Sequence, residues 1–247
     1  MRPLAMVVGA SRRVGREIAL EFARTGFDLV LTFHSDQIGA QETCAMATEL
    51  GAAATLLRMD LADMDATLLA ARSLSLDKLD ALIVSAAMWE KDAPQHEADA
   101  QAARLMRANA NTPMALARAL SPALRRSTLL GGASVMAFGD IHVDFRPMPE
   151  FSHYLASKSS LHQSFRQLAV ELAPHIRVNV IVAGVIAWPQ SMGADELAAY
   201  VRRVPLGRVG TPRDAAVLVR FLTLEAPFMT GSAIVLDGGR SLGPTQD

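Results

Sequence analysis

Leu4-Ala5-Met6-Val7-Val8-Gly9-Ala10-Ser11-Arg12-Arg13-Val14-Gly15 runs from an apolar segment into a turn with glycines at 9 and 15. A short apolar run bounded by such a turn reads as a buried strand. The helical pattern that follows reaches Thr25 and is closed by Gly26. Strand, glycine turn and helix N-terminus in succession aim several backbone N–H groups at one spot, with the positive end of a helix dipole behind them. That is a site for an anion such as a dinucleotide pyrophosphate. Ser11 is the expected N-cap. Arg12 and Arg13 sit badly in a first helical turn, where each cation opposes the dipole by about 0.3–1 kcal/mol. A bound phosphate reverses that sign. The competing reading is a tight strand-to-helix turn with two solvated arginines. On the dinucleotide reading, Gly9, Ser11, Arg12, Arg13 and Val14 are cofactor contacts.

Working outward, Phe27 to Phe33 is the second strand, followed by His34-Ser35-Asp36. An acidic residue at this strand end selects NAD by bonding the ribose hydroxyls. Here His34 and Ser35 hold the position and Asp36 stands further along. With Arg12 and Arg13 nearby, this suits a 2′-phosphate and favours NADPH. Gln37 to Leu50 is a helix, Ala53 to Met59 a strand, and Asp60-Leu61 follows it. Asp60 either accepts from an adenine amino group or caps the helix that runs to Ser73. Leu79 to Ser85 is the fourth strand. Ser85, Ala86 and Ala87 are small enough to let a cofactor approach the backbone. Trp89, next to them, is placed to stack on a flat ligand or to pack internally. A helical stretch from Glu97 to Arg126 carries Asn109, Asn111 and Pro113, with a kink expected at Pro113. Gly131 to Phe138 is the fifth strand, ending in Gly139-Asp140, and Arg177 to Val182 is the sixth. Past it, Gly184 and Ile186 begin an irregular segment running to Pro205, long enough for a lid. A helix capped by Thr211 and a last strand, Ser232 to Leu236, complete the chain. The alternation predicts a Rossmann-type, doubly wound α/β fold: one seven-stranded parallel sheet flanked by helices, one domain over residues 1–247.

Composition narrows the function. Half of the 247 residues are hydrophobic, net charge is −1, and no long run of one sign occurs. Neither a nucleic-acid partner nor a membrane is expected. Cys44 is the only cysteine, which excludes an internal disulfide. The six histidines show no metal-ligand spacing, so no metal is expected. A cytoplasmic location fits.

Tyr154-Leu155-Ala156-Ser157-Lys158 places a phenol and an ammonium on one helix face. The same face continues through Leu161, Phe165, Leu168 and Leu172. A phenol ordinarily titrates near 10, and an adjacent ammonium is expected to lower that value and ready Tyr154 for proton transfer. The bland alternative is a surface Tyr and Lys on an ordinary helix. Gly9 to Gly15, His34, Asp60, Ser85, Asp140 and Gly184 all fall at carboxyl ends of strands, where such sheets bind ligands.

Together these motifs resemble the short-chain dehydrogenase/reductase family over almost the whole chain. The specific parts are the glycine turn, Asp60-Leu61, Asn109, Tyr154-x-x-x-Lys158, Pro205-Leu206-Gly207-Arg208 and Asp237-Gly238-Gly239. The resemblance implies Tyr154 as proton donor or acceptor, Lys158 on the nicotinamide ribose, and Asn109 holding a relay water. It also implies a homodimer or homotetramer. Arg13 stands where most members have Gly, and Asp140 where most have Ser. Those two departures, with His34-Ser35 and Phe138-Gly139-Asp140, resemble pteridine reductases and bacterial dihydromonapterin (dihydrofolate) reductases.

The expected reaction is hydride transfer from NADPH to a dihydropterin (dihydromonapterin, dihydrobiopterin or dihydrofolate), giving the tetrahydropterin. Arg13, Trp89, Phe138, Asp140 and Tyr154 are the expected substrate contacts, with Asp140 bonded to Tyr154. The alternative is an NADPH-dependent ketone or 3-oxoacyl reductase. A non-catalytic NADP-binding sensor is a third reading.

Overall fold

The computed structural model describes residues 2–145, 147–188 and 193–243. Seven parallel strands form one sheet in the order β3-β2-β1-β4-β5-β6-β7. They are β1 (Leu4–Val8), β2 (Asp28–Phe33), β3 (Ala54–Arg58), β4 (Ala81–Val84), β5 (Ala133–Asp140), β6 (Ile176–Ala183) and β7 (Ala233–Leu236). The helices are α1 (Arg13–Arg24), α2 (Gln37–Glu49), α3 (Met64–Ser73), α4 (Ala98–Met106), α5 (Thr112–Leu124), α6 (Ser152–Leu172), α7 (Ala194–Val201) and α8 (Pro212–Leu224). β4 and β6 are buried along their whole length because helices cover both faces of the sheet. One apolar layer joins α1 and α8 to residues such as Val7, Ile83 and Met136. The other joins α5 and α6 to Val8, Leu82 and Val135. The strand order reverses between β1 and β4, and the crevice beyond their carboxyl ends is the expected ligand position.

Three local expectations change. The irregularity in the long helix is a π turn over Arg107–Asn111 that separates α4 from α5. Pro113 lies just inside α5 rather than at the bend itself. Its missing N–H still leaves the Asn109 carbonyl without the usual donor four residues on. The segment from 184 to 205 contains α7. Acidic Asp195 and Glu196 in its first turn and an alanine-rich body are the local signals of that helix. Pro189, in the same segment, lies outside the described residues. The N-caps also shift by a few residues. Arg12 precedes α1 with no side-chain cap, while the Ser11 hydroxyl donates to the Asp36 carbonyl at 2.8 Å. Asp63, not Asp60, caps α3.

Candidate active site

A cleft of about 600 Å³ opens past the ends of β1, β2 and β4. Gly9, Ser11, Arg12, Arg13 and Val14 form one wall, His34, Ser35 and Asp60 another, and Ser85, Ala86 and Ala87 the floor. Its shape depends on absent side chains. A Cβ on Gly15 would lie 1.9 Å from the Gly9 carbonyl oxygen, and one on Gly9 would lie 2.6 Å from Ala86 Cβ. Ala86 thus packs directly on the glycine turn. Arg13 adopts φ 51°, the left-handed region, which explains why glycine is the ordinary choice there. No acidic side chain occupies the first turn of α1. Leu61 lies on the cleft wall beside Asp60. These residues fit a dinucleotide: free N–H groups and cations at one end, an apolar slot with an acceptor at the other.

Asp36 lies at the His34 end of the cleft. Its carboxylate accepts from the Gly39 N–H at 2.9 Å and caps α2, so it is engaged in the fold. His34 Nε2 lies 3.4 Å from Asp60 Oδ2, and both side chains are open to solvent. Asp60 Oδ1 accepts from the Ala62 N–H.

The proton-transfer residues come together beside this cleft, at the end of β5. Tyr154 Oη donates to Asp140 Oδ2 at 2.8 Å. Lys158 Nζ donates to the Phe138 carbonyl at 2.7 Å and lies 5.9 Å from the centre of the Tyr154 ring. Tyr154 and Lys158 are both buried. Burial pushes the phenol well above its ordinary value, and the charge of Asp140 and its hydrogen bond add to that. Burial lowers the Lys158 ammonium to about 8, against the opposing pull of Asp140. The expectation that Lys158 would lower the Tyr154 value is therefore corrected. Desolvation penalises the phenolate, and the nearest partner is an anion.

Other predicted residues take different places. The Asn109 side chain accepts from the Met88 N–H and donates to the Met88 carbonyl and to Ser157 Oγ. It pins the loop after β4. Phe138 packs its ring into the layer under α1 and α8, so its carbonyl, not its ring, serves the site. The expected contact of the Phe138 side chain with substrate is thus corrected, because the ring packs with Met136 in this apolar layer. Trp89 stacks on Phe151 with ring centres 4.9 Å apart, and Phe151 meets Tyr154 edge-on at 6.4 Å. Gly184 donates its N–H to the Leu236 carbonyl, and Ile186 packs against Gly210. Arg13 Nη2 reaches the Ala187 carbonyl at 2.5 Å, tying the glycine turn to this segment. Phe151 and Ser157 escaped the sequence reading, because an aromatic at a helix start and a serine between Tyr and Lys carry no distinctive pattern.

Fold, cleft and buried Tyr–Lys pair define a nicotinamide-dependent oxidoreductase. A family model described as Enoyl-(Acyl carrier protein) reductase matches residues 9–241. The chain belongs to the short-chain dehydrogenase/reductase family. It is 28% identical over 248 residues to 3beta-hydroxysteroid dehydrogenase 1 of Eggerthella lenta, covering 97% of this chain and 94% of the relative. The crystal structure of acetoin dehydrogenase YohF from Salmonella typhimurium superposes with a TM-score of 0.88 at 28% identity, covering 100% of this chain and 99% of that one. The Pseudomonas aeruginosa RhlG/NADP active-site complex gives 0.86 at 28% identity, covering 97% and 96%. None of these three is named as a pteridine reductase.

Proposed function

We propose that the chain is an NADPH-dependent reductase of a small ketone or diketone, giving the hydroxy compound. The observation that carries this is the state of Tyr154, whose phenol is buried and bonded to Asp140. A phenol held protonated is a proton donor, which is what reduction of a carbonyl requires. The similarity to an acetoin dehydrogenase and a hydroxysteroid dehydrogenase supports carbonyl and hydroxyl substrates. NADPH rather than NADH is supported by Arg12, Arg13, His34 and Ser35 around the cleft, and by the engagement of Asp36 in capping α2. Similarity to an NADP complex agrees.

Bound NADPH supplies the hydride. Gly9, Ser11, Arg12, Arg13 and Val14 would hold its phosphates, and His34 and Ser35 its 2′-phosphate. Asp60 and Leu61 would hold the adenine, and Ser85, Ala86 and Ala87 would let the nicotinamide end approach. Gly184 and Ile186 would border that end. Tyr154 gives its Oη proton to the substrate oxygen. Lys158, held on the Phe138 carbonyl, would bond the ribose. Asn109 would hold a relay water, as the family resemblance implies.

A dihydropterin is the second reading, and Asp140 is the observation that favours it. A carboxylate accepts a hydrogen bond from a ring N–H but gives none to a carbonyl oxygen. On this reading Arg13 and Trp89 edge the pterin, and Tyr154 with Asp140 passes a proton to its ring nitrogen. NADPH oxidation on diacetyl, acetoin, a 3-ketosteroid and a 3-oxoacyl thioester, against dihydrobiopterin, dihydromonapterin and dihydrofolate, decides. A ketone turned over at least tenfold better than every pterin supports the first reading. The reverse replaces it with the second. Stoichiometric NADPH binding without turnover on any of them sinks both and leaves a binding protein.

A further inference from the structure

Successive turns of α6 address consecutive residues at the end of β5. Tyr154 bonds Asp140 and Lys158 bonds the Phe138 carbonyl. The next position on the same stripe is His162, and it meets Gly139. A Cβ on Gly139 would lie 2.0 Å from His162 Nε2, so the imidazole occupies the space that glycine leaves. His162 is only 9% exposed, and its Nε2 has no hydrogen-bond partner among the described residues. On the other side of the ring, Nδ1 lies 3.6 Å from Oδ2 of Asp144, in the loop leaving β5. A second cavity of about 160 Å³ adjoins the ring and is lined also by Asp144, Ser159, Gln163, Arg166 and Asn179. Its lining is about half polar, and it is large enough to hold water. The imidazole therefore borders both this cavity and the end of β5, to which Tyr154 and Lys158 bond.

The charged groups around it come from three elements: Lys158 and Arg166 on α6, Asp140 on β5, and Asp144 in the following loop. β6, the residues leading into β7 and β7 itself present only uncharged residues to the cavity, among them Asn179 and Ser232. We propose that His162 is a positioning residue that must stay neutral for the site to work, a proton on its ring adding a second buried cation that loosens the hold of Lys158 and Asp140 on Tyr154. This rests on the reading of Tyr154 and Lys158 as the proton-transfer pair. Burial is the main force keeping the proton off, and Lys158 adds to it, while Asp144 and Asp140 pull the other way. The folded value lies below the ordinary imidazole value. The resulting stability is complete above the unfolded value and declines as pH falls through the folded one.

Nitrogen-15 NMR of the histidine rings in the cofactor-free protein tests this, with His162→Gln assigning the resonance. One ring should stay neutral to lower pH than the exposed histidines. Asp144→Asn should move its midpoint lower still, because the charge that favours the proton is gone. With the substrate identified by the panel above, kcat/KM of the wild type should fall on the acid side by about tenfold per pH unit. That limb should vanish in His162→Gln and shift downward in Asp144→Asn. The acid-side drop in melting temperature should shrink in His162→Gln. An acid limb identical in wild type and His162→Gln overturns the proposal, as does an Asp144→Asn midpoint that is unmoved or raised. If His162→Gln does not fold, Asp144→Asn decides on both readouts, with the ring assigned from the wild type by its coupling to that variant. The NMR arm needs no substrate, so a ring that titrates as expected in a protein that reduces nothing counts against the functional reading and not against this one.

Discussion

The dinucleotide cleft and the proton-transfer group lie at neighbouring strand ends, yet they are built in opposite ways. The cleft is made of backbone and of missing side chains: Gly9 and Gly15 are required by contacts of 2.6 Å and 1.9 Å, and its charged residues stand in water. The proton-transfer group is made of side chains removed from water, where a single carboxylate and the burial of a phenol and an ammonium set the charge states. The cleft should therefore fail through geometry, and the proton-transfer group through electrostatics. The same contrast separates binding from turnover.

The sharpest break is Tyr154→Phe. It removes one oxygen from the buried group and leaves the cleft alone. Turnover should drop by about 10²–10⁴-fold, the range for loss of a positioned acid, with NADPH affinity within a few-fold of wild type by fluorescence titration. Loss of both together would mean that the two regions are not separable as described. Gly15→Ala is the complementary test. A methyl group 1.9 Å from the Gly9 carbonyl must displace the turn, with a stability cost of about 2–4 kcal/mol. A lower melting temperature and weaker NADPH binding by calorimetry should appear, each without a change in the pH profile of the residual activity. The smallest effect is expected at His34. His34→Asp puts an anion where the 2′-phosphate would lie, beside solvent-exposed Asp60. The ratio of kcat/KM for NADPH over NADH should fall by about tenfold, as screened surface charges are weak. An unchanged ratio would remove His34 from the cofactor site.

Much of the cleft was legible because its signals are local. Strand, glycine turn and helix follow one another within residues 4 to 24, and the constraint is steric, so it survives any surroundings. The alternation of period-two and period-3.6 patterns likewise predicts the sheet and most helix positions. The pairing of Tyr154 with Lys158 was legible from helix spacing, and Asp140 from its place at a strand end. Long-range contacts decide the rest. Phe138 was expected to face the substrate, but strand alternation turns its ring into the opposite layer. Asn109 was expected to hold a relay water; that its side chain is claimed by a loop 21 residues away could not be read from spacing. The partnership of His162 with Gly139 and Asp144 needs a helix laid against a strand, and no spacing shows it.

By itself, then, the sequence determined a doubly wound nucleotide-binding sheet and the identity of the residues at its strand ends, since periodicity, glycine sterics and helix dipoles act over a few residues. Tertiary structure alone decided how those residues are charged. Tyr154 is held as an intact phenol and Lys158 brought down to about 8 because burial strips water from both, while Asp140 stands 2.8 Å from the phenol oxygen. Desolvation and charge proximity are properties of packing, and they exist only once α6 lies on β5.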